Sequence, residues 1–462
     1  MFRLFKHYIP HGVLLLGLVD FALLLLAADF AWTLRADQIG MEPGLFADRL
    51  APLLGFAIAT HSAMIAVGVY GAEALRSMRF ACARLLVAVS LAILALALIE
   101  FAIPGETYWR STLLYSMGLS IALLVGNRLL VGTLLGTQAF RRRVLVLGAG
   151  ARAQRLQKLS ELDGSAFVIV GYIGMTENTV RVIPEAIDRA AIPDLARFVA
   201  NLGAAEVVLA LEERRNALPL KDLLRIKTAG VHVNDFSSFL ERETGRVDLD
   251  TLNPSWLIFS DGFSSSRAIS SVVKRLFDIV ASSVLLLLTF PVILLFAALV
   301  KLDSKGPAFF RQQRVGLYGE KFVLLKLRSM RTDAEKDGAK WADKDDPRIT
   351  RVGALIRKVR IDELPQVWTV LKGQMSFVGP RPEVPSIVDQ LEEQLPYFAE
   401  RHMVKPGITG WAQINYPYGA SVEDARAKLE YDLYYAKNYT PFLDLLILLQ
   451  TLRVILWPEG AR

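Results

Sequence analysis

The chain has 462 residues, 53% of them hydrophobic and 21% charged, so it is too long for one ordinary domain and too apolar to be purely soluble. Lys and Arg outnumber Asp and Glu 53 to 46, a formal +7 that excludes an acidic disordered chain. On a protein with long apolar runs that excess belongs to loops facing an anionic leaflet, which argues against a nucleic-acid footprint. A single cysteine, Cys82, rules out an intramolecular disulfide framework and a CxxC-type zinc or redox site. His7, His11, His61, His232 and His402 have no ligand spacing.

Four apolar stretches, about 12–32, 50–71, 82–103 and 111–136, each match the roughly 20 residues that a helix needs to cross a bilayer. Backbone groups in lipid must pair internally, so a four-helix transmembrane bundle is predicted over 1–138. No small-residue cleavage site follows the first stretch, which is therefore expected to stay as a membrane helix. Arg3 and Lys6 precede the first span, Arg76, Arg79 and Arg84 against Glu73 lie between the second and third, and Arg141, Arg142 and Arg143 follow the fourth. By the positive-inside rule these ends face the cytoplasm. The loops after spans one and three, with Asp37, Glu42 and Asp48 and with Glu106, are closer to neutral.

Over 139–262 short β-branched runs (144–147, 167–170, 207–210, 231–233) alternate with helical patterns at 151–160, 192–202 and 218–228. That texture predicts a parallel, doubly wound sheet, a Rossmann-like α/β cytoplasmic module. Gly148-Ala149-Gly150-Ala151-Arg152-Ala153 stands where a strand gives way to a helix. There Gly148 and Gly150 would let backbone amides approach a pyrophosphate, so a nucleotide of unknown identity is one expectation for this module. No acidic residue closes the second strand, where Gly171-Tyr172-Ile173-Gly174 stands, and none of the thirteen tyrosines has Lys four residues later. Both absences count against hydride chemistry.

A fifth apolar stretch, 271–301, has Lys274 and Arg275 at one end, Lys301 and Lys305 at the other, and Pro291 inside. A proline removes one helical hydrogen bond and clashes with the preceding turn, so a kink or break is expected there. Basic residues at both ends favour a re-entrant helix that returns to its own side over one that crosses. The remainder, 302–462, reads as a compact α-rich domain. Its last apolar stretch, Pro441 to Trp457, carries Asp444 and Arg453 and precedes Pro458, the pattern of an interfacial amphipathic helix or of a buried core helix. No internal repeat is visible.

In that last domain Asp362-Glu363-Leu364-Pro365 follows a basic stretch comprising Arg348, Arg351, Arg357, Lys358 and Arg360. Two acidic residues at a helix start can simply complement the dipole. Around them, however, lie Arg328, Gly379-Pro380-Arg381-Pro382 and Lys405-Pro406-Gly407, all able to bring cations to a phosphate. Carboxylates facing a diphosphate need their repulsion offset, and the pair Asp362 and Glu363 suits Mg²⁺. Aspartate can also attack phosphorus and carry a phosphoryl group covalently.

These residues belong to a longer set of strings: Gly306-Pro307-Ala308-Phe309-Phe310-Arg311-Gln312-Gln313-Arg314-Val315-Gly316, Lys326-Leu327-Arg328-Ser329-Met330, Asp346-Pro347-Arg348-Ile349-Thr350, Asp362-Glu363-Leu364-Pro365-Gln366, Leu371-Lys372-Gly373-Gln374-Met375-Ser376, Gly379-Pro380-Arg381-Pro382-Glu383 and Pro406-Gly407-Ile408-Thr409-Gly410-Trp411. In content and order over about 271–457 they closely resemble the bacterial sugar transferase family of polyprenyl-phosphate phosphoglycosyl transferases. The preceding part resembles the large form that initiates exopolysaccharide or O-antigen units, with four membrane helices and a CoA-binding-like module. The resemblance implies a UDP-sugar donor, undecaprenyl phosphate as acceptor, and a ping-pong reaction releasing UMP. It implies Asp362 as nucleophile, Glu363 as its Mg²⁺-associated partner, and Arg328 and Arg381 as phosphate contacts, with Arg311 and Arg348 as further candidates. It also implies a bacterial inner membrane location, a cytoplasmic catalytic domain, a re-entrant helix broken at Pro291, and dimers by precedent. Many members have Ser-Pro at the break, where this chain has Thr289-Phe290-Pro291.

Two readings from other classes stay open at this level. A membrane-anchored nucleotide-sugar dehydratase or epimerase would use the 139–262 module, and a non-catalytic scaffold would use it to sense a nucleotide.

Overall fold

The computed structural model describes all residues except 1, 5–6, 10, 71–73, 75–77, 103–109, 135–140, 163–164, 176–180, 213–217, 253–267, 333, 335–346, 418, 420 and 457–462. Lys6, Glu73, Arg76, Glu106, Asp346, the module boundary at 262, Trp457 and Pro458 lie outside the described residues. The chain forms two compact units, Met1–Gly245 and Arg246–Arg462.

The first unit opens on an antiparallel hairpin of β1 (Phe2–Leu4) and β2 (His7–Ile9). Four helices follow: α1 (His11–Gln38), α2 (Phe46–Val67), α3 (Met78–Ala102) and α4 (Arg110–Leu134). Gly12–Gln38, Phe46–Val67 and Ser111–Gly132 are each long and apolar enough to cross a membrane, and α3 contributes the apolar stretch Ala81–Ala97. Packing runs in a ring, α1 against α2 and α4, and α3 against the same two. Leu24, Leu53, Phe56, Met64, Leu85 and Leu124 fill the middle while Leu15, Leu18, Leu26, Leu94, Leu114 and Leu130 face outward, as lipid allows. A charge in that interior is retained only when paired. Asp20 is fully buried and accepts from Tyr70 Oη (2.9 Å), Asn127 Nδ2 (2.8 Å) and Arg128 Nη2 (2.7 Å).

Beyond the bundle lie β3 (Arg142–Leu147), α5 (Ala151–Glu161), β4 (Phe167–Gly174), β5 (Ile187–Asp188), α6 (Leu195–Asn201), β6 (Glu206–Leu209), α7 (Leu220–Thr228), β7 (His232–Asp235) and α8 (Phe236–Thr244). The five strands form one parallel sheet in the order β5-β4-β3-β6-β7. Alternate residues of β3 explain the two layers. Val144 and Val146 pack with Ala153, Leu156, Phe236 and Phe239 on one face, and Leu145 and Leu147 with Leu195, Val199, Leu223 and Ile226 on the other. The central strands are therefore buried on both sides, as their unbroken β-branched runs require.

The second unit is dominated by α9 (Ala268–Asp303), one helix of 36 residues with Pro291 inside it. Helical structure continues on both sides of the proline, so the expected break is not an interruption of the helix. Pro291 supplies no amide to the Leu287 carbonyl. Just before it, the hydroxyls of Ser283 and Thr289 donate to the carbonyls four residues back, 2.8 Å to Ile279 and 2.7 Å to Leu285, a contact that bends helices. The middle of α9 exposes Leu287, Leu288, Phe290, Leu294 and Leu295, and Ser270–Asp303 is also apolar and long enough to cross a membrane.

Both arms of α9 fasten to this unit. On the first, Lys274 Nζ reaches Asp444 (2.6 Å) and the Val378 carbonyl (2.9 Å), Arg275 donates to the Val370 and Leu371 carbonyls, and Asp278 accepts from Ser376 Oγ and Phe377 N. On the second, Val300 packs against Leu327 and Ile356, and Asp303 accepts from Val352 N (3.1 Å). The rest comprises the hairpin β8 (Phe309–Val315) and β9 (Lys321–Leu327), α10 (Arg351–Lys358), α11 (Gln366–Lys372), β10 (Ser376–Val378), α12 (Pro385–Gln394), β11 (Gly407–Thr409), α13 (Trp411–Asn415), α14 (Val422–Asn438) and α15 (Pro441–Leu456). β8 and β9 are antiparallel, and β10 and β11 form a short parallel pair. Leu443 and Ile447 of α15 are fully buried against Val378 and Tyr435, while Leu445 is exposed, so this helix has one packed face.

Candidate active site

Thr350 caps α10 by accepting from Gly353 N, and the helix ends at Lys358. Arg360 then takes a left-handed conformation (φ 59°), strained for a side chain of this size, which turns the chain into the 3₁₀ turn Ile361–Glu363. Ile361 anchors that turn beside Val300, Leu327 and Ile356. Asp362 and Glu363 are thereby set just ahead of α11.

The two carboxylates have different surroundings. Glu363 Oε1 lies 3.6 Å from Lys326 Nζ and 3.5 Å from Arg360 Nη1. Burial pushes its carboxyl up, but Lys326, Arg381 and Arg360 outweigh that and hold it below its ordinary value. Asp362 makes no ion pair among the described residues. Burial first, and the Glu363 charge second, raise its carboxyl above the usual range, against the pull of Lys326, Arg357 and Arg360. Lys326 is lowered by burial, with the carboxylates opposing and Arg381 and Arg314 adding to the shift. Five cations, Lys326, Arg381, Arg314, Arg357 and Arg360, thus share one electrostatic neighbourhood with two acids.

Strand register sorts the other arginines. Lys326 pairs across the hairpin with Phe310, and Arg314 with Phe322, so Lys326 and Arg314 share a face with Phe322 and Leu324. Arg311 falls on the opposite face and is exposed. Arg328 is buried, its guanidinium donating to the carbonyls of Lys305 (3.0 Å), Ser304 (2.7 Å) and Val300 (3.3 Å) and to Ser304 Oγ (2.9 Å). It satisfies the end of α9, and Gly306 at φ 126° is required there because a Cβ would collide with its Nη1. Arg348 donates to the Ala334 carbonyl (2.8 Å). Of the predicted phosphate contacts, then, Arg381 stands with the carboxylates, whereas Arg328 and Arg348 hold backbone and Arg311 points elsewhere. Lys326 and Arg314 were not singled out from sequence. Their signal is the strand period, which puts Lys326 in the place of a third inward residue after Phe322 and Leu324.

Asp362 and Glu363 are a donor set that fits Mg²⁺, which is held by one or two carboxylates and completed by water and substrate phosphate. Among the described residues no three metal-binding side chains cluster, so a cage supplied by protein alone is not what these residues offer.

The glycine turn of the first unit lies at the sheet's switch point, between β3 and β6. Gly148 has φ 131°, and a Cβ on it would stand 2.6 Å from the Ala210 carbonyl oxygen. At the start of α5, Glu212 Oε1 accepts from Ala151 N at 2.8 Å, and a Cβ on Gly150 would meet that same oxygen at 2.5 Å. Gly148 is needed here for a close backbone approach within the chain, and a carboxylate already takes the helix start.

A doubly wound module behind helices long and apolar enough for a membrane, and two carboxylates ringed by cations beside a long apolar helix, describe a membrane protein with a site suited to an anionic, phosphate-bearing ligand. Residues 269–458 match the family model described as bacterial sugar transferase, and the chain belongs to that family. Residues 65–225 match a second model, described as a CoA-binding domain. The chain is similar to the UDP-N-acetylgalactosamine-undecaprenyl-phosphate N-acetylgalactosaminephosphotransferase of Aeromonas hydrophila, 44% identical over 240 residues, which cover 52% of this chain and 56% of that relative. An uncharacterized sugar transferase of Bacillus subtilis is 47% identical over 191 residues, 41% of this chain and 91% of its own length. The UDP-glucose:undecaprenyl-phosphate glucose-1-phosphate transferase of Caulobacter vibrioides is 40% identical over 190 residues, 41% of this chain and 71% of the relative.

Proposed function

We propose that this chain transfers sugar 1-phosphate from a UDP-sugar to undecaprenyl phosphate, giving undecaprenyl-diphospho-sugar and UMP. The observation that carries this reading is the unequal pair: Glu363 held by Lys326 and Arg360, Asp362 buried beside it and in no ion pair among the described residues. In the first step an Asp362 carboxylate oxygen attacks the phosphorus that bears the sugar. The bond from that phosphorus to the UMP oxygen breaks, and UMP leaves with the electron pair. In the second, an oxygen of undecaprenyl phosphate attacks the same phosphorus and Asp362 is released as carboxylate. Lys326, Arg381 and Arg360 neutralise the diphosphate and hold it in line, and Arg314 extends the positive field. Mg²⁺ bound by Asp362 and Glu363 would supply Lewis-acid charge neutralisation on phosphate oxygens.

The acceptor's phosphate sits at headgroup depth and the donor is water-soluble, so a site at the membrane surface serves both. We place that surface on the cytoplasmic face of a bacterial inner membrane, with α9 re-entrant. In a straight helix residues 275 and 300 would lie about 37 Å apart. Arg275 is bonded to the Val370 carbonyl while Val300 packs near Ile361, and the turns from 361 to 370 span only about 15 Å at helical rise. A straight α9 meets both contacts only if every linking side chain stretches along one line. Pro291 and the hydroxyl contacts before it favour the bent alternative.

The test is UMP release by detergent-solubilised protein with Mg²⁺, undecaprenyl phosphate and a panel of UDP-sugars, wild type beside Asp362→Asn. UMP from wild type alone, and only with lipid in the multiple-turnover regime, is expected. Undiminished UMP from Asp362→Asn would remove the nucleophile, and silence with every donor would remove the reaction.

A further inference from the structure

Arg381 is the predicted phosphate contact whose charge acts on Glu363, and hydrogen bonds hold the backbone on both sides of it. The Pro380 carbonyl accepts from Gly407 N (2.9 Å), the Pro382 carbonyl from Arg314 Nη1 (2.9 Å) and the Glu383 carbonyl from Val315 N (3.0 Å), while Gly379 N donates to the Thr409 carbonyl (2.9 Å). The carbonyl of Arg381 itself accepts from Arg401 Nη2 at 2.9 Å. That guanidinium is buried and also donates from Nη2 (2.7 Å) and Nε (3.0 Å) to Oδ2 of Asp432 on α14, whose side chain is 2% exposed.

A buried ion pair is a costly way to join two elements, since apolar residues of similar volume often hold as well. Here it has a third partner, and that partner is the backbone from which the Arg381 side chain departs. Arg401 lies over the Phe398 ring, 5.1 Å from its centroid. His402 is held down to about 4 by burial and by Arg401, so at neutral pH it adds no second cation. A guanidinium is planar, with donors on separate nitrogens at fixed angles, so one fork holds the carboxylate and the carbonyl in a set relative orientation, which the freely rotating donors of a single ammonium nitrogen do not impose.

We propose that Arg401 and Asp432 form a positioning pair that fixes the Arg381 turn, and through it aims Arg381 at Glu363 and the donor diphosphate. The role of Arg381 toward a diphosphate rests on the function proposed above; the fixing of the turn does not.

The experiment uses the full chain in detergent, with Arg401→Lys, Asp432→Asn, Arg381→Ala and the Arg401→Lys/Arg381→Ala double variant. Kinetically, Arg401→Lys is expected to lower kcat/KM for the UDP-sugar about tenfold, mostly in kcat, while leaving the KM for undecaprenyl phosphate within about twofold. In the Arg381→Ala background the same substitution is expected to cost less than about twofold, because its target is gone. Equal losses in both backgrounds would overturn the proposal. The second readout needs no turnover: hydrogen exchange at the amides of Gly379, Arg381 and Glu383. Faster exchange there in Arg401→Lys and Asp432→Asn, with β9 unchanged, is expected. Exchange in the turn as slow as in wild type would overturn the proposal, whether or not any UDP-sugar proves to be a substrate.

Discussion

Asp362 and Glu363 are neighbours with opposite electrostatic fates, and in the reaction proposed above that difference suits Asp362 to attack. A carboxyl raised by burial is protonated, and so inactive as a nucleophile, below its folded pKa; activity present at neutral pH is lost as pH falls through that value. The acid limb of kcat should therefore lie above the roughly 3.9 of an ordinary aspartate. Lys326→Met removes a cation that lowers both acids, and should move that limb to higher pH as well as lower kcat by about 100-fold or more; a pH–rate profile checks both. Arg360→Gln should move it in the same direction by less, because that arginine's side chain is two-thirds exposed and screened. From sequence, the acids and Arg381 were grouped as one candidate site, and in the fold they share one electrostatic neighbourhood. Arg328, Arg311 and Arg348 were grouped with them as well, because a string of letters carries no facing. Arg328 is spent on the carbonyls at the end of α9, and Arg311 differs from Arg314 only by the parity of a strand.

At the scale of the element, hydropathy and strand texture were legible because each reports burial directly. The four apolar stretches form α1 to α4, and the β-branched runs form β3, β4, β6 and β7. The two-residue β5 was not visible, since so short an edge carries no periodicity. Nor were Asp20 and Arg128, two charges 108 positions apart whose pairing is a fact of packing. α9 was legible as apolar and proline-bearing, but its fastenings are side-chain contacts over long separations. Lys274→Met should expose this: it leaves Asp444 buried with Tyr435 as its remaining polar contact, and should destabilise the second unit by about 3 kcal/mol, read as a lower thermal midpoint. If α9 re-enters, single cysteines at Ser271 and at Lys305 in a Cys82→Ala background should both react with an impermeant maleimide from the cytoplasmic side only. Labelling of the two from opposite sides would mean that α9 crosses.

Taken whole, the molecule combines a bundle whose buried Asp20 and Arg128 are paired inside it with a transferase unit that carries its own apolar helix. Each unit can therefore be judged separately. If the catalytic reading holds, residues 246–462 contain every side chain it uses, and a charge reversal at Asp20 should lower the yield of folded protein while leaving UMP release per folded molecule within about twofold. The α/β module has a different consequence. Its helix start is satisfied by Glu212, an anion tethered to the same fold, and a tethered group acts at an effective concentration that a free ligand must exceed. A phosphate and that carboxylate cannot accept from the Ala151 amide together, so any occupancy of the turn is a competition between a visitor and a resident. The resident never dilutes, which makes this module's empty state a bound one.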